Sequence, residues 1–330
     1  MKITFVGKGG SGKTTMSALF CQYLASLSCP VMAFDADINQ HLGETLGLSE
    51  EAVARVPSLG LEMERIKEYL RGSNPRIASA TVMTKTTPPG RGSRLWSVHE
   101  ANPLMSYFSY PVQGVTLLVT GPFSEHDLGL KCYHSKVGAV ELLLNHCVDT
   151  PDEYLVVDMT AGADTFASGL FTRFDLTFLI VEPTRKSLSV YQQYKAYARD
   201  YAVNLKVIGN KFETEDDIAF VKEQVWDDLL TWIGRSAYIR ASEKGSGLPF
   251  SSLETSNLEA LATMKSAVDQ CEQNWEKFYQ QAVEFHRKNA VAWLNATLGE
   301  DVTLQIDPDF SLVRWAHEHS RHAVYPGILA

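Results

Sequence analysis

The feature that most constrains the fold is a glycine- and lysine-rich run close to the start of the sequence. Gly7-Lys8-Gly9-Gly10-Ser11-Gly12-Lys13-Thr14-Thr15 fits the phosphate-binding pattern G-x-x-x-x-G-K-[ST]. The apolar segment Ile3–Val6 before it is typical of a strand, and Met16–Leu27 after it is typical of a helix. This setting predicts a P-loop, because glycines let backbone N–H groups surround phosphate oxygens and the helix N-terminus adds the positive end of its dipole.

The pattern also assigns roles within the loop. Lys13 is expected to hold the β- and γ-phosphates of a nucleoside triphosphate, and the hydroxyl group of Thr14 to ligate Mg²⁺. The rest of the predicted phosphate-binding set consists of Gly7, Gly9, Gly10, Ser11, Gly12 and Thr15.

Short apolar runs alternate with helix-like stretches over most of the chain. Strands are expected at Pro30–Phe34, Val115–Val119, Tyr154–Val157, Leu176–Val181 and Leu205–Ile208. They are β-branched and almost continuously apolar, which is typical of strands buried on both faces. The prediction is an α/β fold with a mostly parallel, doubly wound sheet and helices on both faces, whose ligands lie beyond the carboxyl ends of the strands.

Two regions stand apart from this alternation. Residues 50 to about 113 form an expected insertion, and its Pro/Gly/Arg-rich piece Thr86–Arg94 is predicted to be a solvated tip or, alternatively, a partner-docking surface. Residues 1–255 are assigned to the P-loop domain and residues 256–330 to a largely helical extension. One long helical pattern is expected from Ser256 to Phe285, and a short strand at Val302–Ile306.

The composition argues against several classes of protein. The chain has 330 residues with 45% hydrophobic content, which suits one large domain with an appendage or two domains. Its 30 basic and 39 acidic residues give a formal charge of -9, so neither DNA nor a membrane is an expected partner. No signal peptide or apolar run of membrane-spanning length is recognised, and five scattered cysteines suit a reducing compartment, so a cytoplasmic location is expected.

Aspartates close two of the expected strands. Asp35 and Asp37 follow the second strand, where one could stay near the Mg²⁺ shell while the other reaches the attacking water; a helix cap is the alternative. Asp158 closes the strand Tyr154–Val157, as in a Walker B segment that holds Mg²⁺ through water. Gly162 follows, where a backbone N–H could contact the γ-phosphate and move when that group leaves.

The form G-K-G-G-x-G-K-T-T resembles the deviant Walker A loop of the MinD/ParA/nitrogenase-iron-protein class of ATPases. The resemblance implies that Lys8 reaches the nucleotide of a second subunit, so that ATP hydrolysis depends on a homodimer. It also implies that Asp37 positions the water. Asn210 and Lys211, which follow the strand Leu205–Ile208, would contact adenine by the same resemblance, with a turn asparagine as the alternative.

Within that class, Phe34–Gly47, Asp158–Gly162 and Val181–Ser187 look like the CooC branch, the accessory ATPases for nickel insertion into carbon monoxide dehydrogenase. That branch carries a Cys-x-Cys pair where this chain has Cys132-Tyr133-His134. A Cys-x-His pair from each of two subunits would suit Zn²⁺ or Ni²⁺, and an ordinary buried cysteine beside a surface histidine is the alternative. The client implied is an unidentified protein, for which a metalloenzyme is one candidate.

Three other functions are alternatives to this one. A ParA/MinD-type positioning ATPase would need a basic patch or an amphipathic membrane helix, and Arg91 and Arg94 are the best argument for it. An iron-protein-like reductase would need a second cysteine near the switches, and the stretch from Asp158 to Gly169 contains none. A partner-regulating ATPase acting through the C-terminal helices cannot be separated from the first hypothesis by sequence.

Overall fold

The computed structural model describes residues 1–122, 133–161, 166 and 169–320, without the side chains of residues 133–135 and 320. An eight-stranded sheet forms the centre of this described part, in the spatial order β3-β4-β2-β5-β1-β6-β7-β8. All neighbouring strands are parallel except β3 and β4. The strands are β1 Lys2–Gly7, β2 Val31–Ala36, β3 Tyr110–Val112, β4 Val115–Val119, β5 Tyr154–Met159, β6 Leu176–Val181, β7 Leu205–Asn210 and β8 Leu229–Ile233.

The α-helices are α1 Lys13–Ser26, α2 Leu42–Thr45, α3 Glu50–Val53, α4 Met63–Arg71, α5 Pro103–Phe108, α6 Tyr133–Asn145, α7 Arg185–Asp200, α8 Glu215–Val225, α9 Ala237–Glu243, α10 Thr255–Asp269, α11 Trp275–Asn289, α12 Asn295–Leu298 and α13 Leu312–Ser320. Short 3₁₀ turns lie at Ala80–Val82, Gly169–Thr172, Trp226–Asp228, Phe250–Ser252 and Val302–Gln305, and a π-helical turn at Ala290–Leu294.

The sheet has one hydrophobic layer on each face. Successive residues of β1 point to opposite layers: Phe5 packs with α1 and α10, and Val6 packs with α6 and α7. Both layers are buried, which explains why β1 and β6 are buried at every position and are mostly apolar rather than apolar at alternate positions only. The predicted doubly wound α/β fold with a helical C-terminal region is therefore confirmed.

The C-terminal helical pattern is interrupted, so the prediction of one long helix is wrong. α10 ends at Asp269, and α11 begins at Trp275 after Asn274, whose side chain accepts a hydrogen bond from the backbone N–H of Lys277 at 2.9 Å. α10 lies in the sheet core, with Leu261, Met264 and Val268 fully buried. The two apolar stripes follow one another closely enough along the sequence to look like a single helical pattern.

The expected strand Val302–Ile306 is also wrong, because Val302–Gln305 forms a 3₁₀ turn. The Asp301 carboxylate accepts hydrogen bonds from the backbone N–H and the hydroxyl of Thr303, which starts the turn. Val302 and Gln305 are then buried together, three residues apart. A short run of this kind is compatible with either a strand or a helical turn, and the hydrogen bonds to Asp301 favour the turn.

The Pro/Gly/Arg-rich piece of the insertion is not a solvated tip, and that prediction is corrected. Residues 86–90 are buried, while Arg91, Gly92 and Arg94 reach the surface. The hydroxyl of Thr86 lies 3.0 Å from Nδ1 of His286, and that of Thr87 donates to Oε1 of Gln305 at 2.9 Å. The insertion is therefore held by C-terminal residues about 200 positions away in the sequence.

Candidate functional site

The P-loop occupies the carboxyl edge of the sheet, between β1 and α1. Gly7 has φ +151°, and a Cβ there would lie 2.6 Å from the carbonyl oxygen of Ile180. Gly12 has φ +96°, and a Cβ there would overlap with Nδ2 of Asn210. Both positions require glycine, because side chains rarely adopt these angles and the neighbouring strands leave no space.

A cleft of about 830 Å³ opens in front of this loop. It is lined by most of the predicted nucleotide-binding residues, namely Gly9, Gly10, Gly12, Lys13, Thr14, Thr15, Asp37, Asn210 and Lys211. The opposite wall is formed by Gly234–Ala237, Ile239 and Arg240, which follow β8. Its volume is in the range of cofactor and ligand sites. Lys8 and Ser11 are in the loop but not in this lining.

Asp158 ends a buried strand beside the P-loop. Its Oδ1 accepts a hydrogen bond from the hydroxyl of Ser17 at 3.2 Å, and its Oδ2 is buried with no hydrogen-bond partner among the described residues. Burial raises the pKa of Asp158 to about 7, although the Thr14 hydroxyl and the Lys13 ammonium group act in the opposite direction. A buried carboxylate oxygen that lacks a donor is well suited to a cation or to cation-bound water.

The Mg²⁺ prediction therefore fits the side chains present. Thr14 and Asp158 would hold the ion, in part through water. Among residues 1–122, 133–161 and 169–320, no three His, Cys, Asp or Glu side chains form a metal-binding group of their own. Such an ion would depend on phosphate oxygens and water for its remaining ligands, which is the usual arrangement for Mg²⁺ with a nucleotide.

Asp35 lies opposite Asp158 on the neighbouring strand, in direct register. Burial, and after it the negative charge of Asp158, raises the pKa of Asp35 well above its ordinary value. Its Oδ2 accepts from the backbone N–H of Leu42 at 2.9 Å, and its Oδ1 from that of Asp37 at 3.3 Å. Asp35 thus organises the turn between β2 and α2, and its role as a metal ligand remains a prediction.

Asp37 is 6% exposed and lines the cleft. Its Oδ1 accepts hydrogen bonds from both the backbone N–H and the side-chain amide of Asn39, each at 2.9 Å. No helix begins at Asn39; α2 begins at Leu42. The helix-cap alternative for Asp37 is therefore wrong, while Asp35 does contact the first residue of α2.

Gln40 is a residue of this turn that sequence reasoning missed. It is 8% exposed and has φ +55°. Its Nε2 lies 2.7 Å from the carbonyl oxygen of Asp37 and 3.0 Å from Oγ1 of Thr120, and its Oε1 accepts from the N–H of Gly121 at 3.0 Å. A glutamine beside two aspartates carries no recognisable motif, so only the folded chain identifies it.

Glu182, which follows β6, forms ion pairs with two of the candidate lysines, Lys8 and Lys211. Its Oε2 lies 3.8 Å from Nζ of Lys8, whose side chain is 38% exposed, and its Oε1 lies 2.6 Å from Nζ of Lys211. Lys211 also donates to the carbonyl oxygen of Gly10 at 2.8 Å. Lys8 therefore lies at the surface beside Glu182.

Asn210 supports the P-loop directly. Its Nδ2 donates to the carbonyl oxygen of Ser11 at 2.7 Å, and its Oδ1 accepts from the backbone N–H of Lys211 at 2.9 Å. Contact with adenine remains a prediction for both residues. Gly162 and Cys132 lie outside the described residues, and the side chain of His134, on α6, is likewise not described.

The geometry above is that of a nucleotide-binding P-loop, and a family model agrees. Residues 3–227 match the CobQ/CobB/MinD/ParA nucleotide binding domain, so the chain belongs to this family. The class predicted from the P-loop is thereby confirmed.

Two curated proteins are similar over most of their length. An uncharacterized ATP-binding protein of Methanocaldococcus jannaschii is 28% identical over 250 residues, which cover 74% of this chain and 88% of that protein. The carbon monoxide dehydrogenase accessory protein CooC of Rhodospirillum rubrum is 27% identical over 250 residues, which cover 74% of this chain and 87% of that protein. Similarity to CooC agrees with the branch indicated by the switch motifs.

Solved structures show the same fold. A chain of the MinC:MinD cell division protein complex of Aquifex aeolicus superposes with a TM-score of 0.54 at 16% identity, covering 83% of this chain and 97% of that one. The septum site-determining protein MinD of Pyrococcus horikoshii, solved with Mg-ADP, gives a TM-score of 0.53 at 16% identity, covering 82% and 96%. Among the residues that the model describes, no helix is long and apolar enough to cross a membrane.

Proposed function

We propose that this protein is an Mg-ATP-hydrolysing switch ATPase that works as a homodimer and assists metal loading or maturation of a metalloprotein client. The observation that carries the ATPase part is the orphaned, buried Oδ2 of Asp158 near Thr14 and Lys13, which line a large cleft. Family membership and the ATP-binding relative support the same nucleotide.

Each residue of the site has one task in this proposal. Lys13, held at the first turn of α1, binds the β- and γ-phosphates, and the loop N–H groups surround the same oxygens. Thr14 and Asp158 would hold Mg²⁺, which would neutralise charge on the phosphates. Asp37 orients the attacking water, and Gly162 contacts the γ-phosphate and moves after its release.

Dimerisation is the second part of the proposal. Lys8 is one-third exposed and paired only at 3.8 Å with Glu182 among its described neighbours, so little energy is needed to move it. We assign it to the γ-phosphate of the second subunit, where its charge stabilises the transition state. In this proposal Asn210 and Lys211 contact the adenine.

The metal-loading role rests on similarity to CooC and on the pair Cys132 and His134. Two such pairs across a dimer would offer two thiolates and two imidazoles to Zn²⁺ or Ni²⁺ as cargo. The client remains an unidentified protein, with a metalloenzyme as the proposed kind.

Metal content measured together with oligomeric mass tests this role. Wild type and Cys132→Ala would be compared with ADP and with a non-hydrolysable ATP analogue, and Cys29→Ala, which removes a half-buried cysteine elsewhere, is the matched control. We expect about one transition-metal ion per dimer in wild type and in the control, and none in Cys132→Ala. Nucleotide-dependent dimers without metal would overturn the metal-loading role.

The alternative role is that of a ParA/MinD-type positioning or partner-regulating ATPase, which the family match also accommodates. ATP-dependent pelleting with DNA or with liposomes by a metal-free dimer would favour it. Arg91 would then be a poor candidate for the contact surface, because its guanidinium group is already paired with Asp307 and Asp309.

A further inference from the structure

We infer that Gln40 is a positioning residue for ATP hydrolysis: its carboxamide fixes the segment that carries Asp37 against the corner that follows β4. The inference rests on the proposed function, because it concerns how the proposed water-orienting aspartate is held.

The contacts of Gln40 join two parts of the site. On one side, Nε2 lies 2.7 Å from the carbonyl oxygen of Asp37 and 3.2 Å from that of Asp35. On the other side, Nε2 lies 3.0 Å from Oγ1 of Thr120, and Oε1 accepts from the N–H of Gly121 at 3.0 Å. One side chain thus uses both its donor group and its acceptor to connect β2's end with β4's end.

The corner to which Gln40 is tied is itself firmly held. Thr120 donates through its N–H and its hydroxyl to the carbonyl oxygen of Asp35, at 3.0 and 2.8 Å. Ser58 donates to the carbonyl oxygen of Thr120 at 2.8 Å, and Gly60 donates to the same oxygen at 3.0 Å. The residues that follow β4 are therefore held in place, and the hydrogen bonds of Gln40 fix the position of the segment that contains Asp37 relative to them.

The backbone of Gln40 indicates that its side chain is needed there. Its φ of +55° is a left-handed conformation that a residue with a Cβ adopts at a cost, and such costs persist where surrounding contacts outweigh them. Four acceptor atoms crowd Nε2 within 3.5 Å: the carbonyl oxygens of Asp35 and Asp37, Oδ1 of Asp35 and Oγ1 of Thr120. A donor group is required at this point, because a carboxylate oxygen in place of Nε2 would face these four oxygen atoms.

Gln40 lies beside Asp37 rather than in the cleft lining, so its effect is expected on the chemical step and not on nucleotide affinity. Two substitutions separate shape from hydrogen bonding. Gln40→Glu keeps the shape and loses the donors, and Gln40→Gly removes the side chain while its backbone tolerates the left-handed angle. Gln113→Gly is the matched control, because Gln113 is also a left-handed glutamine (φ +47°), but it lies in the β3–β4 turn.

The experiment is steady-state and single-turnover ATP hydrolysis with Mg²⁺, together with thermal unfolding of each variant. We expect both Gln40 variants to lose about 10- to 100-fold in kcat while KM for ATP changes by less than about threefold, since a displaced group costs mainly the chemical step. The Gln113→Gly variant should keep the wild-type kcat.

A double-mutant cycle with Asp37→Ala distinguishes positioning from general structural support. If Gln40 acts through Asp37, Gln40→Gly costs nothing further in single-turnover rate once Asp37 is absent. Losses that multiply in the double variant, or Gln40 variants with wild-type kcat, would overturn the inference while leaving wild-type hydrolysis and the proposed function intact. A wild-type protein that binds ATP without hydrolysing it would overturn both.

Discussion

At the scale of single residues, the site depends on small distances between backbone and side chains. A Cβ at Gly12 would overlap with the amide of Asn210, whereas Gly245, another glycine with positive φ, has open space around its Cβ position among the described residues. Substitutions at these two positions therefore distinguish the free-energy cost of a left-handed backbone from that of a steric clash beside the proposed phosphate site.

Gly12→Ala is predicted to weaken ATP binding at least tenfold, which corresponds to about 1.4 kcal/mol. The added methyl group must displace Asn210, whose Nδ2 holds the carbonyl oxygen of Ser11, and so distorts the loop. Isothermal titration with a non-hydrolysable ATP analogue measures this. Gly245→Ala carries similar backbone strain (φ +73°) and should bind normally; equal affinity in both variants would contradict the proposed loop geometry.

Asp37→Ala is predicted to trap an ATP-bound closed dimer. In the proposed mechanism this change removes the water-orienting carboxylate and slows hydrolysis, while Lys13 and the loop N–H groups proposed to bind the phosphates are unchanged. Gel filtration with Mg-ATP should show a persistent dimer, and turnover should fall by about 100-fold. Turnover equal to that of wild type would refute the role of Asp37. Lys13→Ala is the complementary variant, in which tight nucleotide binding itself is lost.

At the scale of elements, one buried carboxylate adds to the hydrogen bonds that hold the insertion against the C-terminal residues. Asp307 is 3% exposed and accepts three hydrogen bonds from Arg91, one from its backbone N–H and two from its guanidinium group, at 2.8 to 3.0 Å. These hydrogen bonds outweigh burial and lower the pKa of Asp307 from 3.8 to about 2. Arg91 also pairs with Asp309, but that carboxylate is 67% exposed.

Asp307→Asn is predicted to lower the free energy of unfolding by about 1–2 kcal/mol at pH 7. This is less than the pKa shift alone implies, because Arg91 is exposed and solvent weakens its interaction with Asp307. The folded-state pKa is below the unfolded one, so the stabilisation is complete above about pH 4 and is lost as the pH falls towards 2. Urea unfolding at several pH values measures the free energy of unfolding of wild type and variant. The difference between the two free energies should become smaller as the pH falls.

Asp309→Asn is the matched control and should change stability by less than about 0.5 kcal/mol, because exposed ion pairs contribute little. Equal losses in the two variants would contradict the assignment of the tie to the buried carboxylate.

How much of this the sequence could predict depends on the range of the interactions. The P-loop, six of the eight described strands and the aspartates that close two of them are local patterns, and they were predicted with the doubly wound sheet, whereas β3 and β8 were not. The tie between Thr86 and His286 spans 200 residues and leaves no local signal, so the insertion looked solvated. The sequence does not identify Gln40 for a related reason. Its proposed role depends on a left-handed φ and on its hydrogen bond with Thr120, and no sequence motif encodes either feature.

At the scale of the whole molecule, the proposed cycle requires two chains to complete each site. In that cycle each P-loop would contribute Lys13 to its own nucleotide and Lys8 to that of its neighbour, as an isologous dimer allows. The structure places Lys8 at the surface beside Glu182, outside the cleft that contains Lys13. Complementation between two inactive variants therefore tests the dimer without assuming any client or metal.

Lys8→Ala and Lys13→Ala are each predicted to hydrolyse ATP far more slowly than wild type, the first for lack of a lysine in trans and the second for lack of phosphate binding. Mixed in equal amounts, half of the dimers pair one variant with the other. In these the site of the Lys8→Ala subunit receives Lys8 from its partner, so about a quarter of wild-type activity should return. Lys206→Ala in place of Lys8→Ala is a control that should already be active alone. No recovery in a mixture shown to contain heterodimers would mean that Lys8 acts within its own subunit or not at all.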